Sequence, residues 1–214
     1  MKIKFTSILI LITLISSSSY AQKTKKFKMT KEVKELVKLG KDSIIKLALP
    51  LVDKNARLEN FSKTSVQSNG KELYVIFYNP VMYLPINTVF YDNASVNLTT
   101  ASGSKSTVAN PLDFNNQKNI PYYVQTESIK KNIAFVCNAI DSFNYADIAE
   151  FNGTMCILEK EDYYDISVVS ETQESWYKIK KVTGKMFDEG HAHLEPPLII
   201  TDEENSFKEV LFKE

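Results

Sequence analysis

Apolar residues between positions 30 and 50 recur at intervals of three and four, which is the spacing of one face of an α-helix. Lysines and acidic residues occupy the other side. Thr30 is the expected N-cap, and Pro50 is the expected end because proline cannot continue the helical hydrogen bonding. The pattern therefore predicts one long N-terminal helix. The residues of its apolar stripe are Val33, Leu36, Val37, Gly40, Ile44, Leu47 and Ala48.

A different pattern follows in the segment 73–78, where alternating residues face opposite ways and both sets are apolar. This pattern predicts a central strand that is covered on both faces. Asn69-Gly70, just before it, is a strong hairpin signal, so we expect the strand to pair with one near residues 60–67. A further strand is predicted over residues 89–98.

Residues 99–119 are rich in Ser, Asn and Lys and predict a long polar loop, and loops of this kind are often either functional or disordered. Apolar spacing then favours a helix over residues 127–143, although the run Ile133-Ala134-Phe135-Val136 would also suit a strand. From 155 to 187, short alternating segments are separated by turns such as Thr183-Gly184, which predicts antiparallel strands in series. The apolar residues that predict the helix are Ile129, Ile133, Val136, Ile140 and Phe143.

These elements predict an α+β fold, with a long N-terminal helix packed on a curved antiparallel sheet in a single domain over residues 30–214. The segment 176–185 reads Trp-Tyr-Lys-Ile-Lys-Lys-Val-Thr-Gly-Lys. It is similar to the closing hairpin of PepSY-type exported domains, in which a strand ends in a Thr-Gly turn and reverses. The architecture as a whole resembles the cystatin-like group of folds. A likeness of fold does not imply a function.

The first 21 residues have the three-part pattern of a signal peptide: a basic start, an apolar run over residues 8–15, and small residues before a cut. Ser19 and Ala21 occupy the two positions that a signal peptidase requires to be small. The apolar run is shorter than the roughly 20 residues that a membrane-spanning helix needs, which disfavours the alternative of an uncleaved anchor. We therefore expect export to the periplasm or the extracellular space.

The expected mature chain begins with a polar tail over residues 22–29. The first cysteine is Cys137, far beyond the apolar run, so no lipid anchor is expected, and no later segment predicts a membrane anchor. The whole sequence has 26 basic and 26 acidic residues. Without a basic excess or a reader motif, we expect no binding to nucleic acid.

Cys137 and Cys156 are the only two cysteines. In an oxidising compartment they are candidates for a disulfide. The alternative is that they are buried free thiols, which behave as small apolar side chains. Sequence leaves both interpretations open.

His191 and His193 are the only histidines. Residues two apart on a strand project to the same side, so both imidazoles are candidates to bind one divalent metal, with Glu195, or alternatively Asp188 or Glu189, as a third ligand. This interpretation suggests a metal-binding protein or a metal-dependent hydrolase. The alternative is an exposed polar end of a strand before Pro196-Pro197. No other cofactor is predicted, because phosphate-loop, dinucleotide and nucleophile-elbow motifs are missing from the sequence.

Aromatic residues concentrate in the predicted strands, and Tyr74, Tyr78 and Trp176 are candidates for a ligand-binding sheet face. The alternative is that these rings form core and cross-strand contacts. Because catalytic motifs are scarce, the leading hypothesis is a non-catalytic module that binds a protein, a peptide or a glycan. The binding surface would be the sheet face or the 99–119 loop.

Overall fold

The computed structural model describes residues 28–111, 119–140, 153–170, 173–194 and 207–212. Within them the protein is α+β, with three α-helices and two five-stranded sheets. The predicted α+β class is therefore confirmed, although two sheets replace the single sheet that we expected. The predicted signal peptide, most of the polar tail and Glu195 lie outside the described residues.

The helices are α1 over Lys31–Lys38, α2 over Lys41–Val52 and α3 over Glu127–Ala139, with a short 3-10 helix over Leu58–Asn60. Threonine caps two of them. The Oγ1 atom of Thr30 accepts a hydrogen bond from the backbone N–H of Val33 at 3.3 Å, and the Oγ1 atom of Thr126 does the same for Ile129. Each bond satisfies one of the free N–H groups at a helix start.

The prediction of one long N-terminal helix is not confirmed, because α1 and α2 are separate. Gly40 lies between them at a φ of 82°, a left-handed conformation that favours glycine and interrupts the helix. The break changes which side chains face the core: Ile45 is buried, whereas Leu47 is 49% exposed. Pro50 lies inside α2 rather than ending it. The residues after it stay helical and pack against the core of the first sheet.

Ten strands form the two sheets. Sheet 1 has the order β10-β1-β2-β4-β5, and sheet 2 has the order β3-β6-β7-β8-β9. Neighbouring strands are antiparallel except for β3 and β6, which are parallel. The strands are β1 Lys63–Ser68, β2 Leu73–Tyr78, β3 Val81–Leu84, β4 Val89–Asn97, β5 Ser102–Ala109, β6 Thr154–Glu159, β7 Tyr163–Val169, β8 Gln173–Lys180, β9 Met186–His193 and β10 Lys208–Glu209.

The chain repeats one plan. In the first half, α1 and α2 precede the antiparallel series β1, β2, β4 and β5; in the second half, α3 precedes the series β6 to β9. The halves also exchange strands, since β3 leaves the first half to pair with β6, and β10 returns to pair with β1. Each sheet is therefore completed by a strand from the other half of the chain.

Each half has its own apolar core between helix and sheet. In the first, residues such as Ile44 and Phe77 are fully buried together; in the second, Val136 and Ile157 are. Alternation along the strands places every second residue on the opposite face, away from the helices. Each sheet thus has one face covered by helix and one open face.

Several local predictions are confirmed. β1 and β2 pair from Lys63 with Tyr78 to Ser68 with Leu73, as the Asn69-Gly70 signal indicated. β2 is central in its sheet, but the prediction that both of its faces are covered is wrong, because only one face packs against helices. The predicted helix over 127–143 is α3, which ends at Ala139; residues 141–143 lie outside the described part. The predicted loop over 99–119 is wrong, because strand β5 occupies its first half. Serine and threonine suit an exposed edge strand, where no face has to be apolar.

Candidate functional site

The open face of sheet 1 is a regular array of twelve side chains in three rows that cross four strands. β2 supplies the apolar centre, Tyr74, Ile76 and Tyr78, which is half-buried. The neighbouring strands supply hydroxyl and amide groups, of which the Asn97 side chain is buried and already hydrogen-bonded. The register defines the rows as Lys63-Tyr78-Asn93-Ser106, Ser65-Ile76-Ser95-Ser104 and Gln67-Tyr74-Asn97-Ser102. We call this array the tyrosine face.

The polar groups of the tyrosine face are held in place by hydrogen bonds. The hydroxyls of Ser95 and Ser104 lie 2.9 Å apart, and the Ser106 hydroxyl donates to Asp92 at 3.0 Å. The amide of Asn97 donates to Glu72 at 2.9 Å. These bonds restrict the rotamers of the side chains, so the surface is organised before any ligand arrives.

The predicted ligand face is divided by the structure. Tyr74 and Tyr78 lie together on the tyrosine face, where Phe207 packs edge-on against Tyr74 at a centroid distance of 5.0 Å. Trp176, the third predicted member, belongs to β8 of sheet 2. The sequence could not show this division, because it depends on which strands pair.

Trp176 lies on the open face of sheet 2 and is 40% exposed. Its indole lies over Gly190 of β9: a Cβ atom added at Gly190 would be only 2.4 Å from a ring carbon. Glycine at this position thus makes room for the ring. Charges flank the indole on this face, with the ammonium of Lys178 at 2.6 Å from a carboxylate oxygen of Asp188. The open face of sheet 2 is therefore more charged than the tyrosine face.

His191 and His193 lie near the end of the edge strand β9, opposite Ser175 and Gln173 of β8. Both side chains are exposed, and their ring centroids are 5.8 Å apart. The predicted projection to one side is thus present. Among the described residues, no group of three or more His, Cys, Asp or Glu side chains is arranged to hold a metal ion.

Cys137 and Cys156 are both free thiols in the structure. Cys137 is buried on the side of α3 that packs against sheet 2, whereas Cys156 alternates with the core residues of β6 and faces the other side of the sheet. Burial raises the pKa of each thiol to about 11. A thiol with such a pKa is almost entirely protonated at neutral pH and is therefore a weak nucleophile.

A charged cluster that sequence reasoning missed joins the end of α2 to β5. The ammonium of Lys105 hydrogen-bonds to the carboxylate of Asp53, to which the Tyr122 hydroxyl also donates at 2.7 Å. The same ammonium lies 3.8 Å from the centre of the Tyr91 ring. Asp53 and Lys105 are 52 positions apart in sequence, so no local pattern could have indicated their contact.

The pKa values within this cluster reflect its bonding. Burial alone would raise the pKa of the Asp53 carboxyl, but hydrogen bonds from Lys105, Tyr122 and the Asn55 backbone lower it to about 2. Burial and the Asp53 carboxylate together raise the pKa of the Tyr122 hydroxyl. The cluster therefore remains an ion pair throughout the physiological range, which indicates a structural role.

A second polar cluster lies where the two halves meet. The side-chain amide of Asn110 is buried and donates to the backbone oxygens of Leu84 at 3.0 Å and Glu159 at 2.6 Å. It lines an open hollow of about 290 Å³. Nearby, the Lys181 ammonium lies 2.6 Å from the Glu159 carboxylate. These bonds connect the chain after β5 to β3 and β6, and so stabilise the junction.

Comparison with known proteins assigns the chain to no family: no family model, no curated protein and no solved structure matches it. In the part of the chain that the structure describes, no helix is both long and apolar enough to cross a membrane. Inferences about function therefore depend on the two exposed features described above, the tyrosine face and the histidine pair.

Proposed function

We propose that the protein is a non-catalytic binding module that holds a protein ligand on the tyrosine face. One observation carries this proposal. The face combines an aromatic and aliphatic centre with a nearly complete rim of hydroxyl and amide groups, on a rigid sheet whose other side is closed by α1 and α2. An apolar centre with a polar rim is the usual anatomy of a protein interface.

The chemistry of the face favours protein over small-molecule recognition. Tyrosine supplies a large contact area at low entropic cost, and serine and asparagine supply adaptable hydrogen bonds, which is the composition of antibody binding surfaces. Small ligands instead require a concave pocket that encloses most of their surface. The rows of the tyrosine face lie on an extended sheet of paired strands.

The charge of the face also constrains its ligand. Lys63, at one corner, is the only charged side chain among the twelve, and the carboxylates at the border are those of Glu209 on β10, opposite Gln67, and of Glu72 and Asp92, which accept hydrogen bonds from the face. A surface without strong charge gains little from electrostatic steering, so its complexes form at ordinary association rates and depend weakly on salt. We therefore expect a partner whose contact surface is also close to neutral.

Export is part of the same proposal. Residues 1–21 have the pattern of a cleaved signal peptide, which would place the tyrosine face in the periplasm or the extracellular space. The resemblance to PepSY-type and cystatin-like domains stays a proposal at the level of architecture. It is supported by α3 packing on the antiparallel series β6 to β9.

Site-specific crosslinking in the source cells tests the proposal. A photoreactive phenylalanine analogue replaces Tyr78 at the centre of the face, and a matched probe replaces Ser43 on the exposed side of α2. We expect one discrete crosslinked protein from position 78 and none from position 43. In a second variant, Ser95→Arg places a bulky charge in the middle row and should abolish that crosslink. The protein should still fold, because position 95 lies on the open face of the sheet.

Three results would contradict the proposal. Equal crosslinking from both positions, or a crosslink that survives Ser95→Arg, would mean that the tyrosine face is not the interface. If the purified protein binds to a glycan array and Ser95→Arg abolishes that binding, the ligand is a glycan and not a protein. Mass spectrometry of the recovered protein tests export: a chain that still begins at Met1 would overturn that part alone.

A further inference from the structure

We infer that His191 and His193 form a chelating site for one divalent transition-metal ion, with Cu²⁺ bound most tightly. The inference is independent of the tyrosine face, which belongs to the other sheet. It is drawn from the backbone of β9, the spacing of the two rings and the surroundings of their nitrogen atoms.

The backbone places the two imidazoles on one face of the sheet. His191 pairs with Ser175 and His193 with Gln173. Both imidazoles therefore lie on the same face of sheet 2 as the buried side chain of Ser175. Ala192 between them faces the other way. Because β9 is paired with β8 over this length, the pair is fixed on a regular strand rather than on a free tail.

The spacing of the rings suits a shared ion. With metal–nitrogen bonds of about 2 Å, two imidazole centroids that share one metal lie roughly 4.5 Å apart at the cis angle of tetragonal Cu²⁺ and roughly 5 Å apart at the tetrahedral angle of Zn²⁺. The observed centroids of His191 and His193 are 5.8 Å apart, with the ring planes at 76°. Both side chains are exposed, so small rotations about their side-chain bonds can close the difference without moving the strand.

The ring nitrogens are available for coordination. Neither imidazole has a hydrogen bond or an ion pair with any other described residue. The polar neighbours on β8 are satisfied by each other, since the amide of Gln173 donates to the Ser175 hydroxyl at 2.9 Å. Within the described part of the chain, no side chain competes with a metal for the two nitrogens, and metal binding disrupts no hydrogen bond or ion pair there.

The surroundings leave room for further ligands. His191 borders an open hollow of about 590 Å³, which Glu189, Ser175 and Tyr177 also line. Glu189 is on the same face as the histidines, two residues earlier on β9. Among the described residues no third His, Cys, Asp or Glu side chain is arranged to hold the same ion, so the remaining coordination positions are filled by water or by a donor from solution. Imidazole ligands favour copper, nickel and zinc, and Cu²⁺ is the strongest binder in the divalent series.

The test uses CuCl₂ and ZnCl₂ titrated into the untagged protein, followed by isothermal calorimetry and, for copper, by electron paramagnetic resonance. We expect one Cu²⁺ per chain in the micromolar range or tighter, Zn²⁺ more weakly, and a spectrum that shows two nitrogen donors. His191→Asn and His193→Asn should each weaken copper binding by about tenfold or more.

Glu161→Gln is the matched control, because it neutralises one exposed carboxylate in the turn between β6 and β7, at the opposite end of sheet 2 from the two imidazoles. It should alter the affinity by less than about twofold. Circular dichroism should be unchanged in all variants, since the three side chains are exposed. The inference is overturned if the double histidine variant binds copper as tightly as the wild-type protein, or if its resonance spectrum keeps both nitrogen donors.

Discussion

The two halves of this protein share one plan but cover their sheets to different extents. In the first half, α1 and α2 together close one face of sheet 1, and the other face is the nearly neutral tyrosine face. In the second half, α3 alone packs on sheet 2. The inward-facing residues at the end of β9, among them His191 and His193, remain exposed. The same architecture thus presents a broad neutral surface in one half and a small chelating pair in the other.

The two halves differ in their surfaces, but each half contributes residues to the apolar core of the other. β3 carries Tyr83 from the first half of the chain into the core of sheet 2, where its ring packs against Tyr164 at 5.9 Å. β10 is followed by Val210, which is buried in the core of sheet 1. Because each core contains residues from the other half, we expect the two halves to unfold together although their surfaces differ.

The largest expected effect tests that coupling. Phe77→Ala empties part of the first core and Ile157→Ala part of the second, and both residues are fully buried. We expect losses of about 3–5 kcal/mol for the phenylalanine and about 2–5 kcal/mol for the isoleucine, from lost burial and the cavities left behind. Each variant should shift one single unfolding transition, as measured by urea denaturation followed by circular dichroism.

Ser104→Ala on the exposed strand β5 is the control for this comparison and should change stability by less than about 0.5 kcal/mol. The halves are independent if either core variant produces two separate transitions of which only one moves. In that case the exchanged strands β3 and β10 would not couple the two cores.

The next effect is confined to the first half and depends on pH. Asp53→Asn keeps an oxygen that can accept the backbone hydrogen bonds from Asn55 and Ala56 but removes the charge that pairs with Lys105. The folded-state pKa of Asp53 is about 2, below its unfolded value of about 4. The charge therefore stabilises the fold by about 2 kcal/mol above pH 4, and this contribution is lost as the pH falls from about 4 through 2.

Denaturation at pH 7 and at pH 3 measures this effect. The variant should have a lower free energy of unfolding than the wild-type protein at pH 7, and this difference should be smaller at pH 3. Asp162→Asn is the control, because its exposed carboxylate lies 3.9 Å from Lys180 and contributes little. If the difference in free energy of unfolding between Asp53→Asn and wild type is the same at both pH values, the loss of stability is not electrostatic.

Local features of the fold could be predicted from the sequence. Asn69-Gly70 indicated a hairpin, and the spacing of Ile133 and Val136 indicated α3, because each signal depends on neighbours within a few residues. The division of the first helix was not predicted. Gly40 fits the apolar stripe when the segment is read as one helix, and only its left-handed conformation in the structure shows the break.

Non-local features could not be predicted in the same way. Nothing in the segment 81–84 shows that it pairs with β6 rather than with its neighbours in sequence. The same distinction between local and non-local features applies to the two candidate sites. The alignment of His191 and His193 follows from the two-residue period of a strand, so the sequence predicted it. The tyrosine face depends on the register of four strands, and the sequence identified only two of its members, Tyr74 and Tyr78.

The smallest expected effect concerns the second half and its open face. A methyl group at Gly190 would lie 2.4 Å from the indole of Trp176, closer than packed atoms allow, so the ring must turn away from β9 in Gly190→Ala. The ring is at the surface and can move, so the stability loss should be about 1 kcal/mol or less. Trp176 is the only tryptophan, so its fluorescence emission reports the movement directly and should shift to longer wavelength.

Ala192→Ser adds one atom on the same face of β9, two residues further along, and should leave the emission unchanged. An unchanged spectrum in Gly190→Ala would mean that the indole does not lie over this glycine in solution. The copper affinity supplies a second readout, because His191 and His193 face the other side of the strand. A ring movement confined to the open face should change the copper affinity by less than about twofold relative to wild type, since the two faces of β9 are separated by its backbone.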